Sequence, residues 1–374
     1  MDLGFFSPPY AEEYAAGRRA LREVIEWDLQ IARWADEYGL AELFFAEHHT
    51  IGHEPNPAPE LMIAAAARET RNLRLGAAAH LLPYHNPIAL ATRLLYLDHM
   101  TGGRYIAGFA PGSFPTDGQL FGVGAGNAKM MDEAIDIIQA IWTRTGPFRI
   151  EGEFWTVDMP DYTAEWRGPH LRPFSSPHPE IMMTGVQPTS PTFKDAGRRG
   201  FSPMSQQVGL ETLKQQWATY EQAALEAGHT PDRANWRVMR DVFVAETDAE
   251  ARRLFLEGPA GRTWDALVLP TFRAVRDRGG EPYALGQLLL DPGMSIEELT
   301  VEWMVDNFFF VGSPDTVVEK ITRFNEELGG VGALLSFAFD FSQEPETYRR
   351  HLELLGREVA PRIAGLGPRG GSDS

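Results

Sequence analysis

Eight short apolar runs recur along the chain, and helical periodicity follows most of them. The runs cover residues 3–7, 41–46, 73–79, 104–110, 181–184, 200–205, 237–245 and 333–339. Runs of this length read as buried strands, and their alternation with helices predicts a parallel sheet. After the first run, Leu21, Val24, Ile25, Ala32 and Ala35 recur at helical spacing until Gly39. Asn86-Pro87 is a strong helix start: asparagine can cap the free amides, and proline lacks the redundant one. Further helices are read over 59–68, 127–142, 209–227, 314–328 and 345–362. Eight strand–helix pairs predict an α/β chain closed into a (β/α)8 TIM barrel rather than an open sheet. Residues 148–157 alternate around Gly152 and read as a side hairpin. Residues 256–310 break the pattern and read as a partly helical insertion between strands seven and eight, lying over the barrel mouth. The expected layout is one barrel domain over 1–365 and a disordered tail over 366–374.

The 374 residues contain no cysteine, which excludes thiolate metal sites and cysteine nucleophiles. The net charge of −18 argues against nucleic acid and anionic membrane as partners. No apolar run approaches the roughly 20 residues of a membrane span. Met1-Asp2 leads into Leu3-Gly4-Phe5-Phe6 without a basic or signal-like segment, so a cytoplasmic location is expected.

Barrel chemistry sits at the carboxyl ends of the strands. The second apolar run, Leu43-Phe44-Phe45, ends in Ala46-Glu47-His48-His49-Thr50. Neighbouring strand residues point to opposite faces, so His48 and His49 are not expected to share the pocket. One is a candidate base, since histidine titrates near neutral pH. The other is expected to pack between strand and helix, with Glu47 holding a histidine tautomer. A metal reading of Glu47, His48, His49, His53 and Glu54 fails: two histidines four apart around a glutamate are absent, and Pro55 and Pro57 deny a helix. No metal site is expected.

Strand four is followed by Ala110-Pro111-Gly112-Ser113-Phe114-Pro115-Thr116-Asp117, where small residues would let backbone approach a flat ligand. An ordinary loop is the competing reading. Thr184-Gly185-Val186-Gln187-Pro188-Thr189-Ser190 precedes a helix and holds the ingredients of a phosphate site, or simply a capped helix start. Lys129, Arg198 or Arg199 could add charge there. Gly122 to Gly126 follows a loop rather than a strand and is rejected as a dinucleotide motif. Phe6 and Phe114, at strand ends, are candidates for an apolar substrate pocket.

Taken together these segments resemble the bacterial luciferase-like monooxygenases, and in particular the limonene-monooxygenase-like branch. The matching segments are Ala46-Glu47-His48-His49, Leu75-Gly76-Ala77-Ala78-Ala79, Leu82-Pro83-Tyr84-His85-Asn86-Pro87, Leu97-Asp98-His99-Met100-Thr101-Gly102-Gly103-Arg104, Pro111 to Asp117, Met131-Asp132-Glu133-Ala134, Pro177-His178-Pro179 and Val311-Gly312-Ser313-Pro314-Asp315. The resemblance implies a barrel that binds reduced flavin at the strand carboxyl ends, with a non-proline cis peptide near Ala78-Ala79. It places His48 beside the flavin peroxide, the flavin phosphate on Thr184 to Thr189, and His85 on the substrate side. It departs from luciferase proper at Ala110, where luciferase has a reactive cysteine, and at Pro111, where an arginine follows. Those departures speak against luminescence and against luciferase's phosphate-binding arginines.

The activity so implied is two-component oxygenation through a C4a-peroxyflavin, with reduced FMN delivered by diffusion from a separate reductase. The substrate would be a small apolar terpene, ketone or aldehyde, and the enzyme a homodimer. The alternatives are a deazaflavin-dependent oxidoreductase and a non-catalytic flavin-binding protein.

Overall fold

The computed structural model describes residues 1–124, 126–161, 171–270, 273 and 298–368. Eight parallel strands close on themselves: β1 Asp2–Ser7, β2 Glu42–Phe45, β3 Arg74–Ala77, β4 Tyr105–Ala110, β5 Glu180–Gly185, β6 Ser202–Ser205, β7 Arg237–Met239 and β8 Ala333–Phe337. Pairing runs in chain order from β1 to β8, and β8 returns to β1 with Leu3 opposite Leu334 and Phe6 opposite Phe337. Closure leaves the barrel without an open edge. A two-residue strand, His80–Leu81, adds to the end of β4.

The helices form where their signals predict. Helix Leu21–Glu37 buries Val24, Trp27, Ile31, Ala32 and Ala35 against the barrel wall. Helix Pro87–Thr101 starts with the Asn86 side chain accepting from the Ile88 and Ala89 amides, and Gly102 ends it in the left-handed region. The side hairpin is present as Phe148–Glu151 paired antiparallel with Thr156–Met159.

Charge closes the bottom of the barrel. Glu42, Arg74, Glu180 and Arg237 are each the first residue of a strand, so they meet at the amino-terminal end. Arg237 reaches Glu42 through Nε at 2.6 Å and Glu180 through Nη1 at 2.7 Å, and Arg74 bonds the same two carboxylates. Burial pushes the Glu180 carboxyl up, but Arg237 and Arg74 outweigh it and hold it down to about 2. With this end plugged, ligand access is left to the opposite mouth.

Two expectations about the strands change. The run over 237–245 is not one strand: β7 stops at Met239, and Val242–Val244 leaves the barrel to pair with Phe310–Gly312. The pivot is Arg240-Asp241. The Asp241 carbonyl accepts from the Phe310 amide, and its buried carboxylate accepts from the Phe337 amide and the Trp264 indole. The third run likewise ends early, at Ala77, ahead of the cis Ala78–Ala79 peptide. Of the insertion expected over 256–310, Pro259–Thr263 and Val301–Asn307 are helical. Residues 271–297 apart from Arg273 lie outside the described residues, as do 369–374 of the expected tail.

Candidate active site

Strand geometry ends at Phe45, three residues before His48, so alternation no longer separates the two histidines. Both reach the rim, each on a different carboxylate. The Ala46 amide still donates to Ser7 O, and the His48 amide then donates to Asn56 O at 2.9 Å, closing a loop over 49–56. Inside it the Glu54 amide bonds Ile51 O and the Asn56 amide bonds Glu54 O. These turns fold the Glu54 carboxylate back onto His48, whose Nε2 lies 3.0 Å from Glu54 Oε2.

Glu47 is buried and serves the other histidines. Its Oε1 accepts from His49 Nε2 at 3.0 Å and from His85 Nε2 at 2.9 Å, while Oε2 accepts from the Leu81 amide at 3.1 Å. Burial opposes its charge, but the bonds from His49 and His85 prevail and hold the carboxyl down to about 2. Glu47 therefore orients two imidazoles from beneath the rim. His80, behind them, bonds Tyr105 Oη through Nε2 at 2.7 Å, and burial pushes its imidazole down to about 4.

The loop after β4 carries the other half of the site. Short helix Pro115–Leu120 brings a fully buried Asp117 against strand two's end, where it accepts from the His49 amide at 3.3 Å and from the Thr50 hydroxyl. Asp117 Oδ2 faces His48 Nδ1 at 3.6 Å. Phe114 presents its ring edge-on to His48. Beside them opens a cleft of about 370 Å³ lined by Tyr84, Gly112, Phe114, Gln119 and Asn127. Gly112 has φ +77°, and a Cβ there would meet Tyr84 Oη at 2.5 Å. The Asn127 side chain fixes this loop by donating to the Pro111 and Gly112 carbonyls at 3.2 and 3.0 Å.

The remaining candidates divide by place. Ala78 and Ala79 are buried at the end of β3, and Ala110, opposite Leu81, is half-buried. One strand further on, Thr184 to Ser190 leads into helix Pro191–Arg199. The Thr192 hydroxyl donates to Thr184 O at 2.6 Å and lies 2.7 Å from Ser190 Oγ, and Thr189 is exposed. Gly185 has no room for a side chain, since a Cβ would sit 2.6 Å from Ser190 Oγ. Lys129 is exposed on the first turn of helix Asn127–Thr143. Arg198 and Arg199 are not available to that loop. They end a nine-residue helix about 13 Å long, and Asp132, Asp136 and Asp195 bind them. Phe6 does not line the cleft: it packs 5.7 Å from Phe337 in an aromatic floor with Tyr10, Phe339 and Trp264. His85 is held on Glu47 at the rim.

Sequence reasoning gave no role to Asp117, Glu54, Tyr84 or Asn127. Asp117 sits in a loop segment read for its small residues, and its contact with His48 crosses 69 positions, the difference between 117 and 48.

A planar ligand with one anionic end fits these residues. The small alanines at the ends of β3 and β4 leave backbone close to the barrel mouth, and a helix start such as that after Ser190 favours an anion. The architecture is a (β/α)8 barrel with these residues at the carboxyl ends of its strands. The chain belongs to the luciferase-like monooxygenase family, whose profile matches residues 1–331. It is 37% identical to 3,6-diketocamphane 1,6-monooxygenase of Pseudomonas putida, over 97% of this chain and 98% of that one. Limonene 1,2-monooxygenase of Rhodococcus erythropolis is 31% identical over 99% of this chain and 88% of its own length. Among solved structures, the FMN-bound oxygenating constituent of the Pseudomonas putida 3,6-diketocamphane monooxygenase, described as a type II Baeyer–Villiger monooxygenase, superposes with a TM-score of 0.88. That match, at 37% identity, covers 96% of this chain and 98% of that one.

Proposed function

We propose that the chain is the oxygenating component of a two-component flavin-dependent monooxygenase, acting on a small apolar cyclic ketone or terpene. The observation that carries this reading is the end-to-end likeness to an FMN-bound oxygenating constituent. Reduced FMN, delivered by a separate reductase, supplies activation of O2 when bound. The chain's residues do the rest. The helix start after Ser190, with Thr184, Gly185 and Thr189, takes the phosphate, and Lys129 adds positive charge nearby. Ala78, Ala79, Ala110 and Gly112 are the residues that would hold the flavin ring. His48 manages the proton at the reacting oxygen, while Glu47 orients His49 and His85 around it. Phe114, at the lip of the cleft, helps keep water from the site.

A bicyclic terpenoid ketone incubated with this protein, a flavin reductase, NADH, FMN and ¹⁸O2 is expected to gain one labelled oxygen atom. A panel of such ketones and terpenes from which none gains label, while NADH is consumed to hydrogen peroxide, would contradict the reading.

The homodimer implied by the resemblance would use helices Pro59–Glu69 and Pro87–Thr101. Leu61, Tyr96 and Met100 are exposed there around a shallow apolar groove of about 360 Å³.

A further inference from the structure

His48 stands between two carboxylates that arrive from different loops. Its Nε2 is 3.0 Å from Glu54 Oε2, and its Nδ1 is 3.6 Å from Asp117 Oδ2. The His48 Nδ1 and Asp117 Oδ2 atoms are both buried and neither has a hydrogen-bond partner, the 3.6 Å between them being an ion-pair distance rather than a hydrogen bond. The rest of each carboxylate is anchored. Asp117 Oδ1 accepts from the His49 amide and the Thr50 hydroxyl, and Glu54 Oε1 lies 3.5 Å from His53 Nε2. Thr116 and Thr50 join hydroxyls at 2.6 Å, which ties the short helix of the β4 loop to the end of β2.

A neutral imidazole carries one N–H and can serve only one of these oxygens. An imidazolium carries an N–H on both nitrogens and so presents one to each carboxylate. The groups facing His48 are Glu54 from its own loop, Asp117 from the β4 loop and the uncharged ring of Phe114. Glu47 and His49 are paired with each other, and His53 stands behind Glu54. The charge around the ring is thus predominantly negative. Burial drives the imidazole toward the neutral form, but the bond from Glu54 and the charge of Asp117 outweigh it, so its pKa rises above the ordinary 6.5.

We propose that Glu54 and Asp117 are positioning residues that hold His48 as an imidazolium, bonded to Glu54 on one nitrogen and facing the charge of Asp117 on the other, so that His48 serves oxygenation as a proton donor rather than as a base. This deepens the function proposed above and rests on it for the catalytic consequence. In that reaction reduced flavin gives two electrons and O2 gives one atom to the substrate. The other oxygen atom leaves as water, which takes one proton from the flavin and one from His48. Solvent then reprotonates His48.

The test begins with the full-length protein without flavin, labelled with ¹⁵N-histidine, and follows the ten histidines by NMR as pH is varied. The His48→Gln variant identifies the His48 signals. In the wild type both ring nitrogens are expected to be protonated at pH 6.5, with a midpoint above that value. Glu54→Gln and Asp117→Asn should each move the midpoint to lower pH, while Asp117→Glu should retain it. Circular dichroism reports whether each variant is folded, and if Asp117→Asn is not, Glu54→Gln decides. A midpoint at or below 6.5, or one that a folded Glu54→Gln leaves in place, overturns the proposal. In turnover with reductase, the alkaline limb of kcat/KM should follow the same midpoint, and a limb that ignores it overturns the donor role. Loss of oxygenation with the titration as expected would instead count against the function, not against the positioning of His48.

Discussion

The imidazole of His48 meets the ring of Phe114 edge to face, with centroids 4.9 Å apart and planes at 88°. A residue just past the end of β2 thereby touches the lip of the cleft after β4, which would let the proposed proton handling and substrate seating share one wall. His48→Ala should leave FMN binding intact and lower oxygenation by about a hundredfold or more, the usual weight of a positioned acid or base. Flavin titration and product formation measured on the same preparation check this. Undiminished product formation would remove His48 from the mechanism.

Gly112 offers a separate handle on the proposed cofactor site. Gly112→Ala forces a side chain into the left-handed region, at a cost of about 1–3 kcal/mol. It also drives Cβ toward Tyr84 Oη. The melting temperature and the FMN affinity should both fall. Adding Tyr84→Phe should recover part of the loss, because it removes the clash but not the backbone cost. A Gly112→Ala protein that melts and binds like the wild type would show that the turn is not tight.

The ion cluster at the barrel bottom makes stability depend on acid. Glu180 is held down to about 2, against an ordinary value of 4.5. A depressed carboxyl contributes its full stabilisation above about pH 4.5, and that contribution is lost as pH falls through about 2. Glu180→Gln should therefore lower the melting temperature at pH 7 and narrow the gap from wild type as pH falls from 4.5 toward 2. A gap that stays constant across that range would contradict the assignment. Arg237→Met should be the more damaging change, because it removes the buried cation of the cluster and leaves Glu42 and Glu180 to Arg74 alone.

Much of the barrel was legible because strand and helix differ in apolar period, and Asn86-Pro87 and Gly102 mark helix ends by local chemistry. The break at Arg240-Asp241 was not, because apolar residues flank that charged pair on both sides and the turn is fixed by Trp264 and Phe337 from elsewhere in the chain. Glu42, Arg74, Glu180 and Arg237 are each a single charge at or near the start of an apolar run, and only closure of the barrel brings them together. At the site, the importance of Glu47-His48-His49 could be read from its place after a strand. Its division of labour could not: Glu54 returns through backbone turns, and Asp117 arrives on a loop whose contact with His48 is wholly tertiary.

If the helices Pro59–Glu69 and Pro87–Thr101 pair two copies of the chain, Leu61→Lys with Tyr96→Lys should place charge inside that contact. Sedimentation equilibrium would then show a dimer for the wild type and a monomer for the double variant. A wild type that is already monomeric would rule the contact out.

The most direct measurement of the proposed function is rapid mixing of the protein, loaded anaerobically with reduced FMN, against oxygenated buffer. The expected result is absorbance of a protein-stabilised C4a-peroxyflavin that decays slowly. The contradicting result is reduced FMN that stays unbound, or that oxidises with no stabilised adduct at the rate of free flavin; reduced deazaflavin would then be the next cofactor to try.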